Sequence, residues 1–433
     1  MADDRADSRE ELGLVELIAM GVGGMIGGGI FSVLGLAVGI SGRAAPLAFG
    51  IGALIALAAG YSYVRLALTY RSDGASFTYL DHAFPGHPNV AGVVGWTVVV
   101  GYIGTLALYA FTFGAYGADL LGNAHSEVVR MGLSAAVLVF FMLVNLSGTR
   151  SSGKAEDVVV YAKILLLAVF AVAGMTTVRT ENLTPVLDAG IPSVFMAGAL
   201  IFVAYEGFQL IANGVCETRD ASRNIPRGIY GSIVITSVLY IVLAIVGVGN
   251  LTLTELVAAE EYALAAAAEP VLGMAGPVLV GLAALLATSS AINATSFGAA
   301  RMMAEMARET RMPKAFSFRN KKDAPWVAVV ALTVFGLMFT VASGLEVIAA
   351  FSSLTFLLVS IGVSIANLKL RTETNCHVGL VLLGLGLMST TALLLIVYLW
   401  DSGRDTLLWI SAIYGVVFAV EFLFSKRRLG DQR

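Results

Sequence analysis

Lys163 stands alone in Val158-Val159-Val160-Tyr161-Ala162-Lys163-Ile164-Leu165-Leu166-Leu167-Ala168-Val169-Phe170, a run otherwise fit for hydrocarbon. An amine there can hold a proton and donate three hydrogen bonds, and an ionisable group inside a membrane span is a functional candidate by default. The second such group is Glu206, in Phe202-Val203-Ala204-Tyr205-Glu206-Gly207-Phe208-Gln209. Glycine supplies a third kind of chemistry, because Gly21, Gly23, Gly24, Gly27, Gly28 and Gly29 crowd into one apolar stretch. Each costs a helix about 1 kcal/mol relative to alanine. Backbone that unwinds there frees N–H groups at the start of the next half-helix, a ready site for a carboxylate. Close helix packing through Gly23/Gly27 and Gly24/Gly28 is the alternative use. The triple Gly27-Gly28-Gly29 exceeds what a packing pair needs and favours a break.

The elements that must position these groups are membrane helices. The chain has 433 residues, 58% hydrophobic and 13% charged, with a mean hydropathy of +0.84, whereas soluble domains are about 25% charged. Long apolar runs recur throughout, which excludes a β-barrel with its alternating pattern. Twelve candidate spans begin near Leu14, Ala45, Val90, Val128, Asp157, Ile191, Gly228, Gly276, Trp326, Leu345, His377 and Asp405. With both termini cytoplasmic, 22 of the 27 Lys and Arg residues fall inside and four, Arg43, Arg130, Arg179 and Arg404, fall outside. That asymmetry fits the positive-inside rule, and the opposite orientation inverts it. The first apolar run lacks a cleavage site and reads as a retained helix of a plasma-membrane protein. Cys216 and Cys376 fall at cytoplasmic helix ends, where a disulfide is not expected.

Lys163 lies about 10 Å along its span from Glu156-Asp157, roughly a third of the way through a 30 Å hydrocarbon core. It can gain and lose a proton, or its stem can snorkel toward the cytoplasmic interface. Glu206 can line a site and read a cationic side chain, or bond to the broken helix or to Tyr102 or Tyr109. The segment Asn250 to Gly273 carries Glu255, Glu260, Glu261 and Glu269 and no basic residue, which suits an outer lid of helical pieces. His82, His87, His125 and His377 lie near connections or helix ends, so neither a metal ion nor a cofactor is expected.

Interruptions in spans one and six occupy corresponding positions of two five-helix halves, the best sequence pointer to a transporter's binding site. Gly24-Met25-Ile26-Gly27-Gly28-Gly29-Ile30-Phe31 resembles the first-helix motif of the amino acid–polyamine–organocation (APC) superfamily. Ala204-Tyr205-Glu206-Gly207-Phe208, with Glu217 and Asn224-Ile225-Pro226-Arg227, resembles its sixth-helix signature. Asn145-Leu146-Ser147-Gly148 with Gly153-Lys154-Ala155-Glu156, and Ser289-Ser290-Ala291-Ile292-Asn293-Ala294 with Arg301, are similar to its fourth-to-fifth and eighth helices. The resemblance covers essentially the whole chain and is strongest to the archaeal proton-coupled members.

The resemblance implies an all-α fold of twelve transmembrane helices, a LeuT-like 5+5 inverted repeat with helices 1 and 6 broken and two peripheral helices. It divides the chain into a cytoplasmic segment (1–13), a first repeat (14–178), a second repeat (191–371), peripheral helices (377–424) and a cytoplasmic tail (425–433). A substrate carboxylate would meet the N–H groups of Gly28 and Gly29 beside Gly27. Its ammonium would meet carbonyls near Met25, Val203, Ala204 and Glu206, with Phe202 and Gly207 at the same break. Where sodium-driven relatives hold a cation between helices one and eight, proton-coupled members hold a lysine of helix five, and Lys163 matches it. Protonated Lys163 would bond a carbonyl near Gly23 and a hydroxyl of Ser289 or Ser290.

The expected function is sodium-independent, proton-coupled uptake of L-amino acids, with an exchanger or a non-transporting sensor as alternatives. Substrate, proton and lipid are the expected partners, and nucleic acid is not. An enzyme is disfavoured by the lack of a P-loop, a metal cluster or paired catalytic carboxylates. A channel is disfavoured by the lack of a repeated filter.

Overall fold

The computed structural model describes residues 12–72, 74–148 and 153–431, with side chains described except at 88, 153–157 and 423–431. Most of the expected N-terminal segment 1–13, and Arg150 of the loop before span five, lie outside these residues, as do the side chains of the tail 425–433.

The first apolar run forms two helices, α1 (Leu14–Met25) and α2 (Gly29–Ser41), followed by α3 (Ala45–Thr69), the short α4 (Ala75–Ala83) and the long α5 (Pro88–Leu120). Next come α6 (Glu127–Leu146) and α7 (Gly153–Met175), then another divided run, α8 (Ile191–Leu200) and α9 (Phe208–Asn213). The chain continues through α10 (Ala221–Asn250), α11 (Leu253–Ala259), α12 (Ala263–Leu272) and α13 (Ala275–Arg308). It ends with α14 (Trp326–Ala342), α15 (Leu345–Lys369), α16 (Arg371–Thr374), α17 (Val378–Ser402) and α18 (Arg404–Asp431). Among the described residues ten apolar helical stretches are long enough to cross a membrane, one of them running from Gly29 through Thr69, and α1 and α14 are shorter apolar helices. The chain is a multi-pass membrane protein.

Local signals set several boundaries. Pro46, Pro88 and Pro192 sit in the first turns of α3, α5 and α8, where a missing N–H is harmless. Ser126 caps α6 by accepting from the Val129 N–H. Thr252 and Glu255 form a reciprocal capping box that starts α11.

The middle of the bundle is α5, packed on α13, α15 and α6, with α10 packed on α3 and α1. The ends are tied by polar contacts. Leu12 pairs with the strand-like turn at Glu217 and Arg219, its N–H donating to the Glu217 carbonyl at 2.8 Å. Arg311 meets Asp81 at 2.7 Å. At the opposite end Arg43 bonds the Asp188 carboxylate at 2.9 Å and the Asn182 carbonyl at 3.0 Å. The segment α11–α12 closes over α2, where a Cβ on Gly35 would lie 2.4 Å from the Glu260 carbonyl oxygen.

The period of α7 separates lipid from core. Val158, Tyr161, Leu165, Val169 and Val172 are exposed, while Val160, Lys163, Leu167 and Phe170 are buried. These sets follow the 3.6-residue repeat on opposite faces. Lys163 therefore sits on the face that meets α13, α10 and α1.

Candidate functional site: two interrupted helices

The glycine run breaks the first helix where its triple glycine stands. At Ile26 the backbone turns to φ −80°, ψ 64°, and helix resumes at Gly29. The last carbonyls of a helix have no intrahelical partner, and in a hydrocarbon interior each unpaired one costs free energy. Here they are taken in sequence. The Val22 carbonyl accepts from the Ile26 N–H at 2.8 Å. Lys163 Nζ donates to the Gly23 carbonyl at 2.8 Å and to the Ile26 carbonyl at 2.7 Å. The Tyr109 hydroxyl points to the Gly24 carbonyl at 3.4 Å, and the Tyr240 hydroxyl donates to the Met25 carbonyl at 2.7 Å. Side chains from α7, α5 and α10 thus serve four consecutive carbonyls.

Lys163 is fully buried. Its stem runs across to the break and not along α7 toward water, so snorkelling does not describe its position. The Ile26 carbonyl, freed by the break, is an acceptor to which the sequence did not point. Ser289 and Ser290 are half-buried on α13.

The sixth apolar run breaks differently. Helix α8 tightens into a 3-10 turn over Ile201–Tyr205, Glu206 is extended at φ −65°, ψ 127°, and Gly207 adopts φ 144° before α9 begins. Only glycine fits that position easily. It also touches the first break, since a Cβ on Gly207 would lie 2.5 Å from the Met25 nitrogen. The freed groups find partners again. Ser353 of α15 accepts from the Val203 N–H at 2.8 Å and donates to the Leu200 carbonyl. Tyr240 reaches the Ala204 carbonyl at 3.1 Å, so one hydroxyl joins both breaks. Tyr205 donates to the Phe49 carbonyl at 2.7 Å, fixing the turn against α3.

Beside the contact of Gly24 with Gly207 lies a cavity of about 20 Å³, lined also by Tyr102, Tyr109, Glu206, Gln209 and Phe356. That volume holds about one water. Glu206 is 5% exposed, and its Oε1 has no hydrogen-bond partner among the described residues. No described hydrogen bond links it to Tyr102 or Tyr109. Of the residues expected to line a site, Glu206 and Gly207 line this cavity. Met25, Gly27, Gly28, Gly29, Phe202, Val203 and Ala204 are buried around the breaks but outside its lining. Gly29 packs so tightly that a Cβ would lie 2.7 Å from the Ala204 Cβ.

Sequence reasoning missed Tyr240 and Ser353. The one signal for Tyr240 was a hydroxyl inside Val238-Leu239-Tyr240-Ile241-Val242, an apolar run with no other polar atom in its side chains.

Comparison with known proteins agrees with this architecture. A family model described as amino acid permease matches residues 12–422. An uncharacterized protein of Methanocaldococcus jannaschii is 30% identical over 419 residues, with 96% of each chain covered. The inner membrane transport protein YbaT of Escherichia coli is 29% identical, with 93% of this chain and 94% of YbaT covered. The branched-chain amino acid permease BcaP of Bacillus subtilis is 25% identical, with 84% and 82% covered. Matched along nearly its whole length, the chain belongs to the amino acid permease family of membrane transporters and is not an enzyme.

Proposed function

We propose that this protein is a secondary active transporter that takes up L-amino acids with protons, without sodium, by alternating access at the plasma membrane. Its twelve spans comprise two inverted five-helix repeats (14–178 and 191–371) and two peripheral helices (377–424), with both termini cytoplasmic. The substrate carboxylate is held by N–H groups of Gly28 and Gly29, beside Gly27. The ammonium is held by carbonyls around Met25 and Val203 to Glu206, beside Phe202 and Gly207.

One observation carries the proton-coupled reading: Lys163 donates to the carbonyls of Gly23, in the last turn of α1, and Ile26, the first residue of the break. A buried ammonium in that position does the work of a bound monovalent cation. Charged, it ties α7 to the first interrupted helix. Neutral, it keeps fewer N–H donors and loses the charge that strengthens them, so the tie weakens and the half-helices can move. Ser289 and Ser290 on α13 are the hydroxyls that take up or steady the amine as the bundle shifts.

Counterflow in sodium-free proteoliposomes, with a panel of labelled amino acids and with or without an imposed pH gradient, tests the function. Saturable exchange that a proton gradient converts to net accumulation supports it. Accumulation that needs sodium, or ignores the pH gradient, defeats the proton-coupled part.

A further inference from the structure

We propose that the cavity beside Gly24 and Gly207 is a subsite for a cationic side chain, so that the preferred substrates end in an ammonium or guanidinium group. This inference rests on the amino acid transport reading above and adds the substrate class.

The lining is one-sided in charge. Glu206 contributes a carboxyl group, Tyr102, Tyr109 and Phe356 contribute aromatic rings, and no Lys, Arg or His lines the space. Glu206 Oε1 is buried and has no partner among the described residues. Gln209, 4% exposed, lines the same cavity with its Nε2 also unpartnered. Two polar groups more than nine-tenths buried thus border one small space, each with one atom lacking a hydrogen-bond partner among the described residues, which asks for a ligand or water.

The two groups make different demands, and magnitude decides between them. A carboxylate left without a countercharge in a low-dielectric interior is penalised more than an amide N–H left without an acceptor. A cationic head is the ligand that offsets the cost of ionising this carboxyl group. A cationic head neutralises Glu206, and aromatic faces favour a cation over a neutral polar group. Tyr102 and Phe356 stand edge to face with centroids 5.8 Å apart, forming a fixed aromatic corner. The Gln209 amide presents its carbonyl after a half-turn, since its two ends are nearly the same size.

The cavity of about 20 Å³ is contracted. Gly24 and Gly207 hold it closed, because their backbones touch: a Cβ on Gly24 would lie 3.1 Å from the Gly207 Cα. The head group enters when α1 and α9 part, with the amino acid backbone at the breaks and the side chain directed past Glu206.

Arginine and citrulline have nearly the same shape and differ in charge, so they isolate the claim. In proteoliposome counterflow, arginine and lysine are expected to displace labelled substrate at concentrations at least about ten-fold lower than citrulline or alanine. Glu206→Gln is expected to reduce the arginine–citrulline gap to less than about two-fold, and Glu206→Asp to retain part of it. Citrulline or alanine competing as well as arginine with the parent protein overturns the subsite while leaving amino acid transport standing. So does a Glu206→Gln protein that keeps the parent's gap. If that variant does not fold, the parent's ratio alone decides. No exchange of any amino acid by folded parent protein overturns the transport reading itself.

Discussion

Lys163 reaches across the core to the carbonyl of Ile26, 2.7 Å away, where the first membrane helix has come undone. The same ammonium serves Gly23, one turn earlier. A side chain of α7 therefore ties the last turn of α1 to the unwound residue that follows it. Any change in its charge is felt at the end of α1, where the break begins.

Replacing Lys163 by methionine keeps the apolar stem and removes the donors. The Gly23 and Ile26 carbonyls are then left unpaired, at roughly 1–3 kcal/mol each. We expect a lower midpoint of thermal unfolding in detergent and uptake that no longer varies with pH in the way the parent's does. Sealed-vesicle uptake across a pH series checks this, and a Lys163→Met profile that superimposes on the parent's eliminates the coupling role.

Tyr240→Phe tests the hydroxyl that joins the two breaks. The ring contacts with Phe49 and Tyr205 remain, at centroid distances of 5.7 and 5.4 Å. The bonds to Met25 and Ala204 are lost, with the backbone hydrogen bond at Ile30. Expected are a destabilisation of roughly 1–3 kcal/mol and a larger change in kcat than in KM, because the tie governs movement of the half-helices. Unchanged unfolding and uptake would show that water replaces the hydroxyl.

Gly207→Ala and Gly39→Ala form a matched pair. The first puts a Cβ 2.5 Å from the Met25 nitrogen at a φ of +144°, a backbone strain of order 1–3 kcal/mol before the clash is added. The second adds a methyl group to α2 with nothing within 4 Å, gaining up to about 1 kcal/mol of helix propensity. Gel-filtration recovery after heating should fall sharply for Gly207→Ala and hold or rise for Gly39→Ala.

The loop that contains Glu261 carries its own pH dependence. Burial holds the Glu261 carboxyl above the usual carboxylate range; Arg130 opposes that shift, while Glu260 and Glu127 reinforce it. The folded loop thus binds this proton more tightly than the unfolded chain, whose glutamate titrates near about 4.3. The stabilisation is complete below that value and is lost as pH rises through the higher folded one. Hydrogen exchange across Leu256–Tyr262, corrected for intrinsic rates, should show protection falling with pH there, and Glu261→Gln should flatten the trend.

Helix existence was legible in the sequence because hydrocarbon demands it: an apolar run in lipid must satisfy its own backbone. The helices open at Leu14, Ile191, Trp326 and Leu345, where apolar periodicity begins. The first break was legible for the same physical reason, since Gly27-Gly28-Gly29 is too poor a helix former to continue. Lys163 drew notice because charge is scarce in such runs.

What the sequence could not determine is where the freed backbone groups turn for partners. Tyr240 and Ser353 are distant in the chain from the carbonyls they serve, and nothing local marks a hydroxyl as a bridge. The Ile26 carbonyl as an acceptor for Lys163 has the same origin: the turn at Ile26 aims that carbonyl toward α7, and a dihedral angle is invisible in a list of residues. Glu206 shows the division most clearly. Its identity and depth follow from the chain alone. Its want of a partner, beside three aromatic rings drawn from α5 and α15, exists only once the helices are packed.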